Sequence, residues 1–309
     1  MQKPNTLGLT RLEDIPLREI VPFIRWSFFF QAWKMTGKYD GIETVCDCSS
    51  CKTAWLQQFS ENEREKAEEA LKLFRDAQEM LRRFLDEKLI RVHAVFGIFP
   101  ARSDGNDIMI RNGEKETTIP FLRQQHAADD GFCYSLADFL DTNADFIGVF
   151  ACTVAGADDV AKQFEQENDI FHSILVKTLA DRLAEAASEW LHFCVRKKYW
   201  GYNPDEKLDI KAIFKNQYPG IRPAVGYPAL PDQSLIFDLN NLITFDEIGI
   251  TLTENGAMSP NSSVCGLYFA HPKARYFMIG KIDENQLSDY AHRRGKTTEQ
   301  MKKWLTANI

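Results

Sequence analysis

The sequence has 309 residues, is 44% hydrophobic and carries 22 Phe, nine Tyr and six Trp, enough for one large core or two small ones. Lys and Arg total 37 against 44 Asp and Glu, a formal net charge of −7, which argues against nonspecific binding to nucleic acid or an anionic membrane. No apolar run reaches the roughly 18 residues of a spanning helix. The start has no signal-peptide pattern, so a soluble, cytoplasmic chain is expected.

Residues 1–15 have few periodic apolar positions and are expected to form an extended lead-in. Beyond them, Leu17, Ile20, Val21, Phe23 and Ile24 predict a short helix broken near Pro22. The aromatic stretch Trp26-Ser27-Phe28-Phe29-Phe30-Gln31-Ala32-Trp33 is read as a core anchor, ended by Gly37 and Gly41. Of the seven cysteines, Cys46, Cys48 and Cys51 fall within six residues. Three thiols so close suit a soft metal or a redox pair. A tetrahedral site needs a fourth ligand and none stands beside them, so loop thiols are the default and no metal is assigned. Cys133, Cys152, Cys194 and Cys265 lie in apolar surroundings and read as buried free thiols of a reduced, intracellular chain.

Ser60 followed by Glu63 forms a capping box before a stripe of Ala67, Leu71, Phe74, Ala77, Leu81 and Phe84, which predicts a long helix to about Leu89. Residues 92–99 read as a buried strand ending at Pro100, followed by an Asp104-Gly105 turn and a returning strand over 107–110. A further strand is expected over 146–152, and 121–125 and 136–140 are read as short loop or helical pieces. A second long helix over 169–199 carries the stripe Leu175, Leu179, Leu183, Ala186, Trp190 and Cys194. Glu185 falls off that stripe and is expected in solvent unless a ligand site faces it. His192 lies near the same face and reads as a surface histidine.

The segment Gly220-Ile221-Arg222-Pro223-Ala224-Val225-Gly226-Tyr227-Pro228 has little backbone freedom, because each proline fixes its own φ and restricts the residue before it. It is expected to be a rigid loop presenting a guanidinium and a phenol. Such a guanidinium suits either a ligand carboxylate or a protein carboxylate. Residues 248–253 read as a strand, and 264–269 with 275–282 as a hairpin joined at 270–273. A helix over 284–294 stops at Gly295, and another opens at Thr297 with Gln300 three residues on. With no repeat and no linker, the expectation is a single α+β domain with a central, mainly antiparallel twisted sheet and long flanking helices.

The sequence contains no Ser-His-Asp order, phosphate loop, GxGxxG or HExxH signature. It does contain Arg222-Pro223-Ala224-Val225-Gly226-Tyr227, which resembles the RxxxGY signature of the C-terminal activation (reactivation) domain of cobalamin-dependent methionine synthase. Collinear stretches are similar to the same family: Phe28-Phe29-Phe30-Gln31-Ala32-Trp33, Gly97-Ile98-Phe99-Pro100-Ala101, Leu122-Arg123-Gln124-Gln125 and Leu136-Ala137-Asp138-Phe139. Further on come Leu179-Ala180-Asp181-Arg182-Leu183-Ala184-Glu185-Ala186, Arg196-Lys197-Lys198-Tyr199-Trp200-Gly201-Tyr202 and Val264-Cys265-Gly266-Leu267-Tyr268-Phe269-Ala270-His271-Pro272. Asp289-Tyr290-Ala291-His292-Arg293-Arg294-Gly295 ends the series, so the resemblance spans nearly the whole chain.

The resemblance implies a module that binds S-adenosylmethionine and serves reductive methylation of oxidised cobalamin held by a partner domain, with an electron from flavodoxin or a flavoprotein reductase. The protein then supplies positioning, which accords with the missing catalytic signatures. It implies that Arg222 holds the ligand carboxylate, that Gly226 and Tyr227 pack against the ligand, and that Tyr276 and Phe277 border the adenosine from a strand. Glu185 is implied as a polar partner. One position departs: where the family has an aspartate for the ligand ammonium, this sequence has Arg25. A cation facing an ammonium is repulsive, so either Arg25 turns away or affinity is weakened unless an acid such as Glu185 compensates. The alternative is a noncatalytic relative that docks on a corrinoid protein without the methyl donor. The homocysteine, folate and cobalamin modules are not expected in this chain, which is read as a monomer, either a C-terminal piece or a free-standing subunit.

Overall fold

A computed structural model describes residues 2–309. The strands are β1 (Gly8–Leu12), β2 (Arg91–Asp104), β3 (Asp107–Asn112), β4 (Lys115–Pro120), β5 (Asp145–Ala155), β6 (Thr251–Leu252), β7 (Met258–Ser259) and β8 (Ser263–Tyr268). Six of them form one antiparallel sheet in the order β4-β3-β2-β5-β8 with β1 on β2, while β6 and β7 pair separately. The helices are α1 (Leu17–Ile20), α2 (Trp26–Ala32), α3 (Ser49–Leu56), α4 (Glu61–Asp86) and α5 (Ala157–Gln166). They continue as α6 (Ile170–Cys194), α7 (Ile210–Phe214), α8 (Leu235–Ile243), α9 (Glu284–Arg293) and α10 (Thr298–Trp304). The expected α+β class and antiparallel sheet are thereby seen.

β2 and β5 are central because both faces of each are covered. Successive side chains on a strand point to opposite faces. Ala94, Phe96 and Ile98 with Phe150, Cys152 and Val154 join the core under α4 and α6. Their neighbours Val95, Phe99, Ile147, Val149 and Ala151 join a second core under α8. A smaller cluster of Leu122, Ile279, Ile282, Leu287 and Met301 seats α9 and α10. The capping box at Ser60 and Glu63 is present at the start of α4. Among the described residues, no helix is long and apolar enough to cross a membrane.

Several sequence expectations are corrected. The lead-in contains β1, which pairs with β2 from Leu12 opposite Ala94 to Gly8 opposite Ile98. β2 does not stop at Pro100 but runs on to Asp104. On one edge it passes from β1, last partnered at Ile98, to β3, first partnered at Ala101, and Pro100 falls in the gap. A missing N–H has no ladder partner to lose on that edge there. The edge strand β4, Lys-Glu-Thr-Thr-Ile-Pro, is mostly polar and gave no apolar pattern. The strand expected over 248–253 shrinks to β6. Cys152 and Cys265 are buried as expected, whereas Cys133 and Cys194 are only partly so.

The largest correction concerns 264–282. β8 forms, but 275–282 does not fold back on it as a hairpin partner. The outer edge of β8 is taken by the proline-rich segment: Ile221 N–H donates to Phe269 O at 2.9 Å, and Phe269 N–H returns to Ile221 O at 3.0 Å. Leu267 N–H donates to Pro223 O at 3.0 Å, and Val225 N–H to Cys265 O at 3.1 Å. This close approach requires Gly266, whose added Cβ would lie 2.3 Å from Pro223 O. Residues 275–282 instead run as irregular chain across the loop, where Ile279 N–H donates to Pro228 O at 3.0 Å.

Candidate functional site

The side of α6 that faces the proline-rich segment bounds a cavity of about 520 Å³, closed by 276–278 and by the chain around Arg25 and Phe28. That volume suits a small organic ligand. α6 supplies Arg182, Glu185 and Glu189 to the wall. Positions three and four apart share a helix face, which is why they point together. Glu185 therefore faces a site and not open solvent. Arg25, Arg222, Tyr227, Tyr276 and Phe277 also line the cavity. Gly226 does not line it but shapes the loop: its φ is +85°, and an added Cβ would meet Gln233 Oε1 at 2.5 Å. Glycine alone adopts that backbone without strain.

Arg222 is the buried cation of the site, its side chain 12% exposed. Its Nη1 donates to Ser188 Oγ at 2.8 Å and its Nη2 to Glu189 Oε2 at 3.2 Å. Its backbone N–H donates to the Tyr276 hydroxyl at 2.9 Å, which fixes the 276–278 segment over the loop. Arg222 Nε is buried without a partner. Burial by itself disfavours the charge. Glu189, then the phenols Tyr276 and Tyr218, then Glu185, outweigh it and hold the guanidinium pKa above its usual range. The cation is permanent.

Glu189 organises the wall. Its Oε1 accepts from the Tyr218 hydroxyl at 2.9 Å, and its Oε2 faces both Arg222 and Arg25, the latter at 3.4 Å. Arg25 is thus turned onto a protein carboxylate, and its guanidinium also lies over the Phe214 ring at 4.8 Å. Glu185 has a different environment. It accepts from the Tyr227 hydroxyl at 2.6 Å and forms no ion pair among the described residues. Burial first, then Glu185, raises the Tyr227 phenol pKa, so Tyr227 remains a donor. Behind this layer His192 is fully buried, contrary to the surface position expected: it meets the Tyr202 hydroxyl at 3.0 Å and stacks on Tyr268.

The sequence reading missed Glu189, Ser188, Arg182 and Phe28. Glu189 was recoverable, because it lies four residues beyond Glu185 on the same helical face. Phe28 belongs to an aromatic stretch read as core, and Phe29 and Phe30 are indeed buried, but Phe28 is 45% exposed and lines the cavity. Tyr276 sits on irregular chain and not on the expected strand.

The family described as "Vitamin B12 dependent methionine synthase, activation domain" matches residues 16–295. The chain belongs to this family. A solved structure described as the MetH reactivation domain bound to AdoHcy is similar over 100% of this chain and 92% of its own, with 36% sequence identity and a TM-score of 0.87. The activation-domain fold therefore accounts for the whole chain, including the proline-rich segment on the edge of β8.

Proposed function

We propose that the cavity binds S-adenosylmethionine and presents its methyl group to cobalamin held by a neighbouring domain of methionine synthase. The observation that carries this reading is the gathering of six of the seven expected residues, Arg222 among them, in one cavity. Support comes from the family and from the similar reactivation domain, which was solved with AdoHcy. The chemistry fits an amino-acid ligand. Arg222, with Nε free of any partner, offers charge-assisted donors to a carboxylate. Glu185, engaged only by a phenol, offers a carboxylate to the ligand ammonium. Tyr276 and Phe277 present ring surface for the adenosine, and Gly226 lets the loop turn behind Tyr227.

Reduced cobalamin supplies the cobalt nucleophile when its domain docks. The residues of this chain act by position. They hold and orient the donor and keep a charged sulfonium beside apolar walls. Phe28, Tyr227, Tyr276 and Met278, all of them at least 44% exposed, line the cavity and offer an apolar surface to an incoming partner. A flavodoxin or flavoprotein reductase delivers the electron to the corrinoid. The chain does this work in the cytoplasm as a monomer. A noncatalytic docking relative is the weaker reading, since its motive was Arg25 and that charge is offset by Glu189.

The test is methyl transfer. Mixed with a reduced corrinoid domain and S-adenosylmethionine labelled on its methyl, the wild type should move label into the corrinoid, and Arg222→Ala should not. Label in the corrinoid without dependence on Arg222 would reject the assigned cavity. Tight docking with no label moved would favour the noncatalytic relative.

A further inference from the structure

Well away in sequence from the cavity residues of α6 and the proline-rich loop, the chain brings three thiols together. The Sγ atoms of Cys46, Cys48 and Cys51 all lie within 4.8 Å of one another. Cys46 and Cys48 approach to 3.0 Å, and all three are exposed free cysteines. Cys48 is the N-cap of α3 and Cys51 lies one turn on, so both thiols leave the same side of the helix start. Cys46 comes back to meet them from the preceding chain.

The frame around them is fixed. Trp55 of α3 is buried and donates from Nε1 to Asp40 O at 3.0 Å. Arg75 of α4 donates to Cys46 O at 3.2 Å and pairs with Asp47 at 3.3 Å. Lys52 of α3 pairs with Glu68 of α4, which ties the two helices together. Around the sulfurs, Cys51 N–H donates to Cys48 Sγ at 3.3 Å, and the Ser50 hydroxyl lies 3.1 Å from the same sulfur. Hydrogen bonds of this kind orient ligand atoms around a metal.

We infer that Cys46, Cys48 and Cys51 form a three-thiolate site for a thiophilic metal ion, Zn2+ or Cu+. Ligands 2.3 Å from a tetrahedral zinc lie about 3.8 Å apart, within the span these sulfurs already have. A redox pair would use two of the thiols and leave the third without a role. A metal uses all three. Binding replaces three S–H bonds by three metal–sulfur bonds and releases three protons, with no change of oxidation state. A water or a donor from a partner completes tetrahedral zinc, whereas Cu+ is satisfied by three sulfurs. Arg75, held on the Cys46 carbonyl and Asp47, adds a cation to the chain that carries the first thiol. The site is independent of S-adenosylmethionine binding.

The test uses the full chain, reduced and stripped with a chelator. Zn2+ is titrated against a chromophoric competitor in one arm and Cu+ against a Cu+-specific competitor in the other. One ion per chain is expected, with proton release. Cys46→Ser, Cys48→Ser and Cys51→Ser should each weaken binding at least about 100-fold, the upper end of what losing an outer-shell partner costs. Ser at position 48 still caps α3, so Cys48→Ser should fold. Cys133→Ser should bind as the wild type does. Binding that survives all three substitutions, or no binding in either arm, would overturn the inference. So would a Cys48–Cys51 disulfide that forms reversibly in a protein with no metal affinity, which would make the cluster a redox pair.

Discussion

Glu189 Oε2 lies 3.2 Å from Arg222 Nη2, and this carboxylate sets the electrostatics of the whole cavity. The same oxygen offsets Arg25, so two cations share one buried anion whose side chain is 4% exposed. Removing one partner of a buried pair leaves an uncompensated charge. Glu189→Ala should therefore destabilise the fold by about 3 kcal/mol. Arg25→Ala, at the 30% exposed end of the network, should cost at most about 1 kcal/mol. Denaturant midpoints at constant slope measure both. Equal costs would show that Glu189 is held for Arg25 as much as for Arg222.

Glu185 is assigned to the ligand ammonium, a group that S-adenosylmethionine and its demethylated product share. Glu185→Gln should weaken both ligands by a similar factor, about tenfold or 1.4 kcal/mol. Equilibrium titration with each ligand checks this. A loss confined to S-adenosylmethionine would move Glu185 to the sulfonium instead.

Gly226 has φ +85° and Gln233 Oε1 only 2.5 Å from where a Cβ would stand. Gly226→Ala should lower stability by about 1–2 kcal/mol, the cost of left-handed strain in a non-glycine residue. Adding Gln233→Ala should relieve the contact but not the strain, so recovery should be partial. Full recovery in thermal unfolding would show that the backbone there tolerates alanine.

His192 is buried as a neutral ring, and burial pushes its pKa well below the ordinary value, with Arg196 and Arg222 adding to the effect. Below the unfolded pKa of about 6.5, the unfolded chain binds a proton that the folded chain does not. This contribution to stability is therefore complete above about pH 6.5 and falls as pH drops, by up to about 1.4 kcal/mol per pH unit. The difference between wild type and His192→Gln, measured from pH 8 to 5, should follow that slope. A flat difference would mean that His192 takes up its proton in the fold as readily as in the unfolded chain.

The helix with one buried face and the strand buried on both faces were legible. α4 announced itself through its stripe and capping box, and β5 through an unbroken apolar run. The segment 275–282 misled because Tyr276, Phe277, Met278 and Ile279 look like a strand, and their aromatic and apolar content serves a site and a small cluster instead. The competitor for the edge of β8 was itself unreadable as a strand, since prolines at 223 and 228 mask extended chain. Arg222, Tyr227 and Glu185 were legible through family resemblance. Glu189 could have been found from its spacing to Glu185, but the turning of Arg25 onto it required three dimensions, because the pairing joins residues 164 apart in sequence.

Calorimetric titration decides whether Arg222 holds the carboxylate of S-adenosylmethionine in this cavity, as proposed. The wild type should bind, and Arg222→Ala, with its circular dichroism unchanged, should lose at least about 30-fold in affinity. A wild type that does not bind, or an Arg222→Ala protein that binds equally well, would contradict it.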